Sequence, residues 1–116
     1  GGRSLHNLSH GESFFTLFAE RFGGCGLYIL DEPEAALSPT RQMAMLSRMH
    51  ELVENRSQFI IATHSPIIMA YPNAAIFALS ERGIAAAAYT ETEHFQITRH
   101  FLANHETMIR LLTEAS

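Results

Sequence analysis

The chain has 116 residues, 47% hydrophobic and 17% charged, which is room for one domain with a core of its own. Its eight basic residues are all arginine and its twelve acids include a single aspartate, Asp31; the net charge of −4 argues against an overall basic nucleic-acid footprint, and any role that needs a lysine from this chain is excluded. A lone Cys25 excludes an intramolecular disulfide and a Cys-rich zinc site, no apolar run nears the ~20 residues that cross a bilayer, and Gly1-Gly2-Arg3-Ser4 lacks a signal peptide's apolar core, so the expectation is a cytoplasmic protein or a soluble part of something larger.

In chain order, Ser9-His10-Gly11-Glu12 is a polar, turn-like opening. It leads into Phe14, Leu17, Phe18 and Phe22, a helical face that Gly23, Gly24 and Gly26 break. Leu27-Tyr28-Ile29-Leu30 is a continuous apolar run, the pattern of a strand buried on both faces, and it ends abruptly in Asp31-Glu32-Pro33-Glu34. A second helix is predicted from Pro39 to about Asn55, capped by Ser38, with Met43, Leu46, Met49 and Val53 facing the core. Phe59-Ile60-Ile61-Ala62 is a second buried strand, closed by Thr63-His64-Ser65-Pro66. Two buried strands joined by a helix predict a right-handed βαβ unit with a parallel pair. Ala75 to Leu79 reads as a third strand, Glu81-Arg82-Gly83 as a hairpin turn and Ile84 to Tyr89 as the returning strand. Two short helices close the chain, His94 to Leu102 and, capped by Asn104, His105 to Glu114.

Chemistry concentrates where the buried strands end. Asp31 and Glu32 fall at the carboxyl end of a parallel strand, where open α/β sheets bind their ligands. In phosphoryl transfer the first of two such acids can hold Mg²⁺ through its waters, and the second can orient or deprotonate an attacking water. A solvated acidic turn accounts for the same residues equally well. Ser9 and Gly11 stand where free N–H groups at a helix start favour a phosphate, although a plain N-cap with Glu12 in the first turn is common. His64 follows the second buried strand and belongs on the same sheet edge as Glu32. His94, His100 and His105, spaced six and five apart, share no helix face and read as surface residues.

Together these residues resemble the C-terminal half of an ABC-type ATPase cassette, within the P-loop NTPases. Leu8-Ser9-His10-Gly11-Glu12 resembles the signature motif, Leu27 to Glu32 the Walker B strand with its glutamate, Ala35-Ala36-Leu37-Ser38 the D-loop, and His64 the switch histidine, in the family's order over residues 8 to 66. The resemblance implies an α/β fold, a parallel sheet with flanking helices, extended by the C-terminal hairpin and helix pair over residues 74–114. It implies ATP and Mg²⁺ as ligands: Asp31 helping to bind Mg²⁺, Glu32 polarising the hydrolytic water, and His64 contacting the γ-phosphate. Ser9, Gly11 and Glu12 would contact the γ-phosphate of ATP held by a second subunit of a head-to-tail homodimer, with Ala36, Leu37 and Ser38 at that interface.

Departures from the transporter pattern are Glu12 for glutamine, His10 for glycine, Ser38 for aspartate and Ser65 where transporters often carry aspartate. Asp-Glu-Pro-Glu-Ala-Ala-Leu-Ser-Pro and Ala-Thr-His-Ser-Pro are more similar to soluble ABC and AAA-type ATPases. The tail from Thr92-Glu93-His94 to Phe101-Leu102 resembles that of a bacterial group of AAA-family ATPases, and reads chemically as a packing helix pair. The phosphate-cradling Walker A loop, Gly-x-x-x-x-Gly-Lys-Ser/Thr, has no counterpart, because the seven glycines never take that spacing and lysine is absent. The expectation is therefore the C-terminal portion of a longer ATPase, inactive alone and prone to self-associate. The competing readings are the ATP-binding subunit of an ABC transporter, a nucleotide-free interaction module, and a metal hydrolase built from Asp31, Glu32 and His64.

Overall fold

The computed structural model describes residues 26–114; the signature-like segment with Ser9, Gly11 and Glu12, the helix expected up to Phe22, and Cys25 lie outside them. The chain divides into two compact units, Gly1–Tyr71 and Pro72–Ser116. In the first, strand β1 (Leu27–Asp31), helix α1 (Pro39–Glu54) and strand β2 (Gln58–Ala62) form a β–α–β unit, with short 3₁₀ turns at Pro33–Ala36 and Ile68–Ala70. The two strands are parallel, with Leu27 opposite Gln58 and Asp31 opposite Ala62. Both strands and the predicted helix thus form where the apolar runs placed them.

The burial pattern differs from the one expected. β1 alternates, with Tyr28 and Leu30 buried while Leu27 and Ile29 are 47% and 66% exposed. β2 follows suit: Phe59 and Ile61 are half-buried and Ile60 is exposed. One face of this sheet packs on α1, and a continuous apolar run cannot announce that only one of its two faces is covered. Tyr28 stacks on its register partner Phe59, centroids 5.0 Å apart.

The core face of α1 is also displaced from the expected Met43, Leu46, Met49 and Val53. Gln42, Met45, Met49 and Leu52 are buried, Leu46 only packs against the edge of the core, and Met43 is 56% exposed. The helix carries two overlapping apolar stripes, and the buried one was hidden because it begins with glutamine. Gln42 tolerates burial because its amide is satisfied at both ends, donating to the Leu37 carbonyl (3.0 Å) and accepting from the Ser65 hydroxyl. Met45, Met49 and Leu52 close over Tyr28, Leu30, Leu37 and Ile68.

The ends of α1 are well specified. Ser38 accepts from the Arg41 N–H (3.2 Å), a cap worth about 1 kcal/mol, and Pro39 occupies the first turn. At the other end Ser57 donates to the Leu52 carbonyl and Arg56 to the Val53 carbonyl (both 2.9 Å), the two bonds of a Schellman motif, with Arg56 left-handed at φ 71°. The unit ends at Tyr71, whose hydroxyl lies 3.1 Å from His50 Nδ1; burial, and then the Glu54 carboxylate, push this phenol above its ordinary pKa.

In the second unit, β3 (Ile76–Ser80) and β4 (Gly83–Ala87) form an antiparallel hairpin, followed by a 3₁₀ turn (Tyr89–Glu91) and helices α2 (Glu93–Ala103) and α3 (His105–Glu114). The reversal runs through Glu81 and Arg82 into Gly83, whose φ of 111° is a backbone conformation that favours glycine. Thr92 caps α2 by accepting from the Phe95 N–H (3.2 Å). Asn104 does not cap α3 with its side chain as expected; its amide turns back to the His100 carbonyl (2.9 Å), finishing α2, and only its backbone carbonyl serves α3. No described helix is long and apolar enough to cross a membrane.

Candidate functional site

The parallel register brings the two chemically loaded turns to one edge of the sheet. Asp31, the last residue of β1, is opposite Ala62, the last of β2, and the Glu32 N–H adds one more rung to the Ala62 carbonyl (2.7 Å). Beyond that rung the chains leave the sheet as Glu32-Pro33-Glu34 and Thr63-His64-Ser65. Asp31, Glu32 and His64 are all exposed at this carboxyl edge, the position at which open α/β sheets hold ligands.

Glu32 leaves the strand in an unusual way. Its backbone is left-handed, φ 47° and ψ 55°, and it precedes Pro33, a neighbour that itself favours extended backbone. A non-glycine residue held so costs about 1–3 kcal/mol, and such strain clusters at functional sites. Buried Pro33 and the 3₁₀ turn, closed by Ala35 donating to the Glu32 carbonyl (3.0 Å) and Leu37 to the Glu34 carbonyl (2.9 Å), hold it in place.

A polar network underlies the edge, and three of its members, Glu34, Thr63 and Gln42, carry no role in the sequence reading. The Glu34 carboxylate accepts from the Thr63 hydroxyl (2.6 Å) through one oxygen and from the His64 N–H (3.0 Å) through the other. Thr63 Oγ1 in turn accepts from the Ser65 N–H (3.0 Å). The buried Ser65 hydroxyl donates to Gln42 and accepts from the N–H groups of Ile67 and Ile68 (both 3.1 Å). The signal that could have found Glu34 was a second acid just past a proline, facing a Thr-His-Ser-Pro turn with two hydroxyls; turn composition explained both stretches separately.

Of the D-loop-like residues, Ala36 and Ser38 are exposed and Leu37 is 8% exposed within the core cluster, while the Ser38 side chain caps α1. An exposed Asp31 at a strand end suits Mg²⁺, which keeps several waters and needs one or two carboxylates beside a nucleotide's phosphates. Among the described residues no three His, Cys, Asp or Glu side chains gather into a metal-holding cluster, so Asp31, Glu32 and His64 do not form the closed ligand set that the metal-hydrolase reading needs. His100 and His105 are exposed and His94 half-buried. A shallow groove along α2, bordered by Phe95, Arg99 and His100, contains none of the candidate residues.

No curated protein matches the chain closely enough to be called a relative. Residues 1–70 match the model of the family described as "AAA domain, putative AbiEii toxin, Type IV TA system". That match stops one residue short of Tyr71, where the first unit ends, so the matched stretch and the unit with the acidic strand edge are the same piece of chain. The chain belongs to this AAA-domain family.

Proposed function

We propose that this chain contributes the hydrolytic edge of an ATPase site of the ABC type. The observation that carries the reading is the parallel register: it sets Asp31-Glu32 and Thr63-His64 at one carboxyl edge, with Glu32 strained out of the strand. Asp31 helps hold Mg²⁺ through water; the ion, when bound, neutralises charge on the phosphates. Glu32 orients and polarises the attacking water, a general-base contribution of about 10²–10⁴-fold. His64 contacts the γ-phosphate. Ser9, Gly11 and Glu12 contact ATP held by a second subunit, and the segment Ala36, Leu37 and Ser38 lies along that homodimer interface. The lysine-bearing phosphate loop comes from outside these 116 residues, since the chain has no lysine.

Substituting Glu32→Gln in the protein assembled with its phosphate loop tests the proposal. Turnover should fall by about 10²–10⁴-fold while ATP remains bound; unchanged turnover would remove Glu32 from the mechanism. The 116-residue chain alone should show no Mg-ATP turnover, and micromolar affinity with Glu32-dependent hydrolysis would contradict the need for an outside loop.

A further inference from the structure

We propose that Glu34 is a positioning residue that acts through His64, an inference that rests on the ATPase reading. Its basis is a rung missing from the sheet. β1 and β2 exchange bonds from the Gln58 N–H to the Gly26 carbonyl (2.8 Å) at one end to the Glu32 N–H on the Ala62 carbonyl (2.7 Å) at the other. In a regular parallel ladder the next rung runs from the His64 N–H to the Glu32 carbonyl. That carbonyl is turned away by the left-handed backbone of Glu32 and accepts from Ala35 instead. The His64 N–H is taken by Glu34 Oε2 at 3.0 Å. A side chain thus stands in for the backbone rung that the strained turn gives up.

The replacement has a consequence for geometry. Both Glu34 oxygens are engaged across 29 and 30 residues of sequence, so one carboxylate fixes Thr63 and His64 relative to the turn that displays Asp31 and Glu32. Hydrogen bonds to an ionised carboxylate are stronger than neutral ones, and using both oxygens also fixes orientation. Glu34 is partly buried beneath the edge while Asp31, Glu32 and His64 are exposed on it, which separates the anchor from the groups presented to a ligand. Holding a γ-phosphate-contacting histidine in register with a water-orienting glutamate is the kind of alignment on which rate depends steeply.

The experiment combines amide hydrogen exchange in the full chain with turnover of the assembled ATPase. Glu34→Ala should speed exchange of the His64 and Ser65 amides by about tenfold or more, while Glu34→Gln, which keeps one acceptor oxygen, should lie between. It should lower kcat by about tenfold or more with KM for Mg-ATP nearly unchanged, and add less than about twofold in a His64→Ala background. Unchanged exchange at His64 overturns the proposal, as does a kcat loss that adds fully to that of His64→Ala. Should Glu34→Ala fail to fold, Glu34→Gln and Thr63→Val carry the test, their effects expected to be less than additive because they share one bond; full additivity overturns it. Absence of turnover in the unmutated protein overturns the ATPase reading alone, and exchange still decides whether Glu34 holds His64.

Discussion

The two units of the chain use apolar residues differently. Among its described residues the first gathers seven buried hydrophobic side chains on and around α1, two of them, Met45 and Leu52, with no exposure at all. The second has none among its described residues: Leu79 and Ile84 on the hairpin are 77% and 71% exposed, and Leu102 and Leu112 on the helices 67% and 69%. Its order comes from local devices, the Thr92 cap, the Tyr89–Phe95 edge-to-face pair at 4.9 Å and Arg99 5.9 Å over the Phe95 ring. The family match covers the unit with the core and stops before the unit without one. A buried core is what allows a strained strand edge to be held, since strain at Glu32 must be offset by packing nearby.

The largest test of this contrast is truncation. Leu52→Ala removes a fully buried side chain and should destabilise the first unit by about 2–5 kcal/mol in denaturant unfolding. The chemically identical Leu112→Ala in α3 should cost within about 0.5 kcal/mol. Equal losses at the two positions would mean that the second unit buries its leucines in solution. The exposed apolar residues also lead to an expectation of self-association, which light scattering checks; a clean monomer at high concentration would count against it.

Much of the first unit was legible because its signals are local and redundant. Ser38-Pro39 marks the start of α1, and two apolar runs that end in polar turns mark the strands. What escaped depended on partners distant in sequence. Gln42 is absent from the predicted core face because the Ser65 hydroxyl that helps satisfy it lies 23 residues away, and Glu34 reads as part of an acidic turn because its partners lie 29 and 30 residues away. The continuous apolar run of β1 predicts burial on both faces, yet coverage of a sheet face is a property of the layers and cannot be read from one run. Asp31, Glu32 and His64 could be brought to one edge in advance because a parallel pair has only one carboxyl edge.

The next effect in size concerns the strain itself. Glu32→Gly relieves a left-handed L-residue before proline and should stabilise the first unit by about 1 kcal/mol, after glycine's larger unfolded-state entropy is deducted. The same substitution should abolish turnover, so stability and activity move in opposite directions at one residue. A loss of stability would show that the Glu32 side chain contributes more to folding than its backbone costs. Gly83→Ala probes the second unit in the reverse sense. A Cβ there meets no atom within 4 Å, so φ 111° alone should make the change cost about 1 kcal/mol, read in the β3–β4 signals and not in those of α1.

The smallest effect separates strain at the sheet edge from ordinary helix-end strain within the first unit. Arg56 is left-handed for a reason unconnected with the sheet edge: it is the residue past the end of α1, where the Schellman bonds to Val53 and Leu52 require that conformation and where glycine is usual. Arg56→Gly should therefore stabilise by about 0.5 kcal/mol, since the 1–2 kcal/mol of relieved strain is partly cancelled by the flexibility glycine adds to the unfolded chain. Unlike Glu32→Gly, it should leave turnover unchanged, because relief of backbone strain by itself is not what the reaction needs. If Arg56→Gly lowered turnover as well, the left-handed backbone at Glu32 would lose its standing as a mark of the site, and the parallel register of β1 and β2 would have to support the functional reading without it.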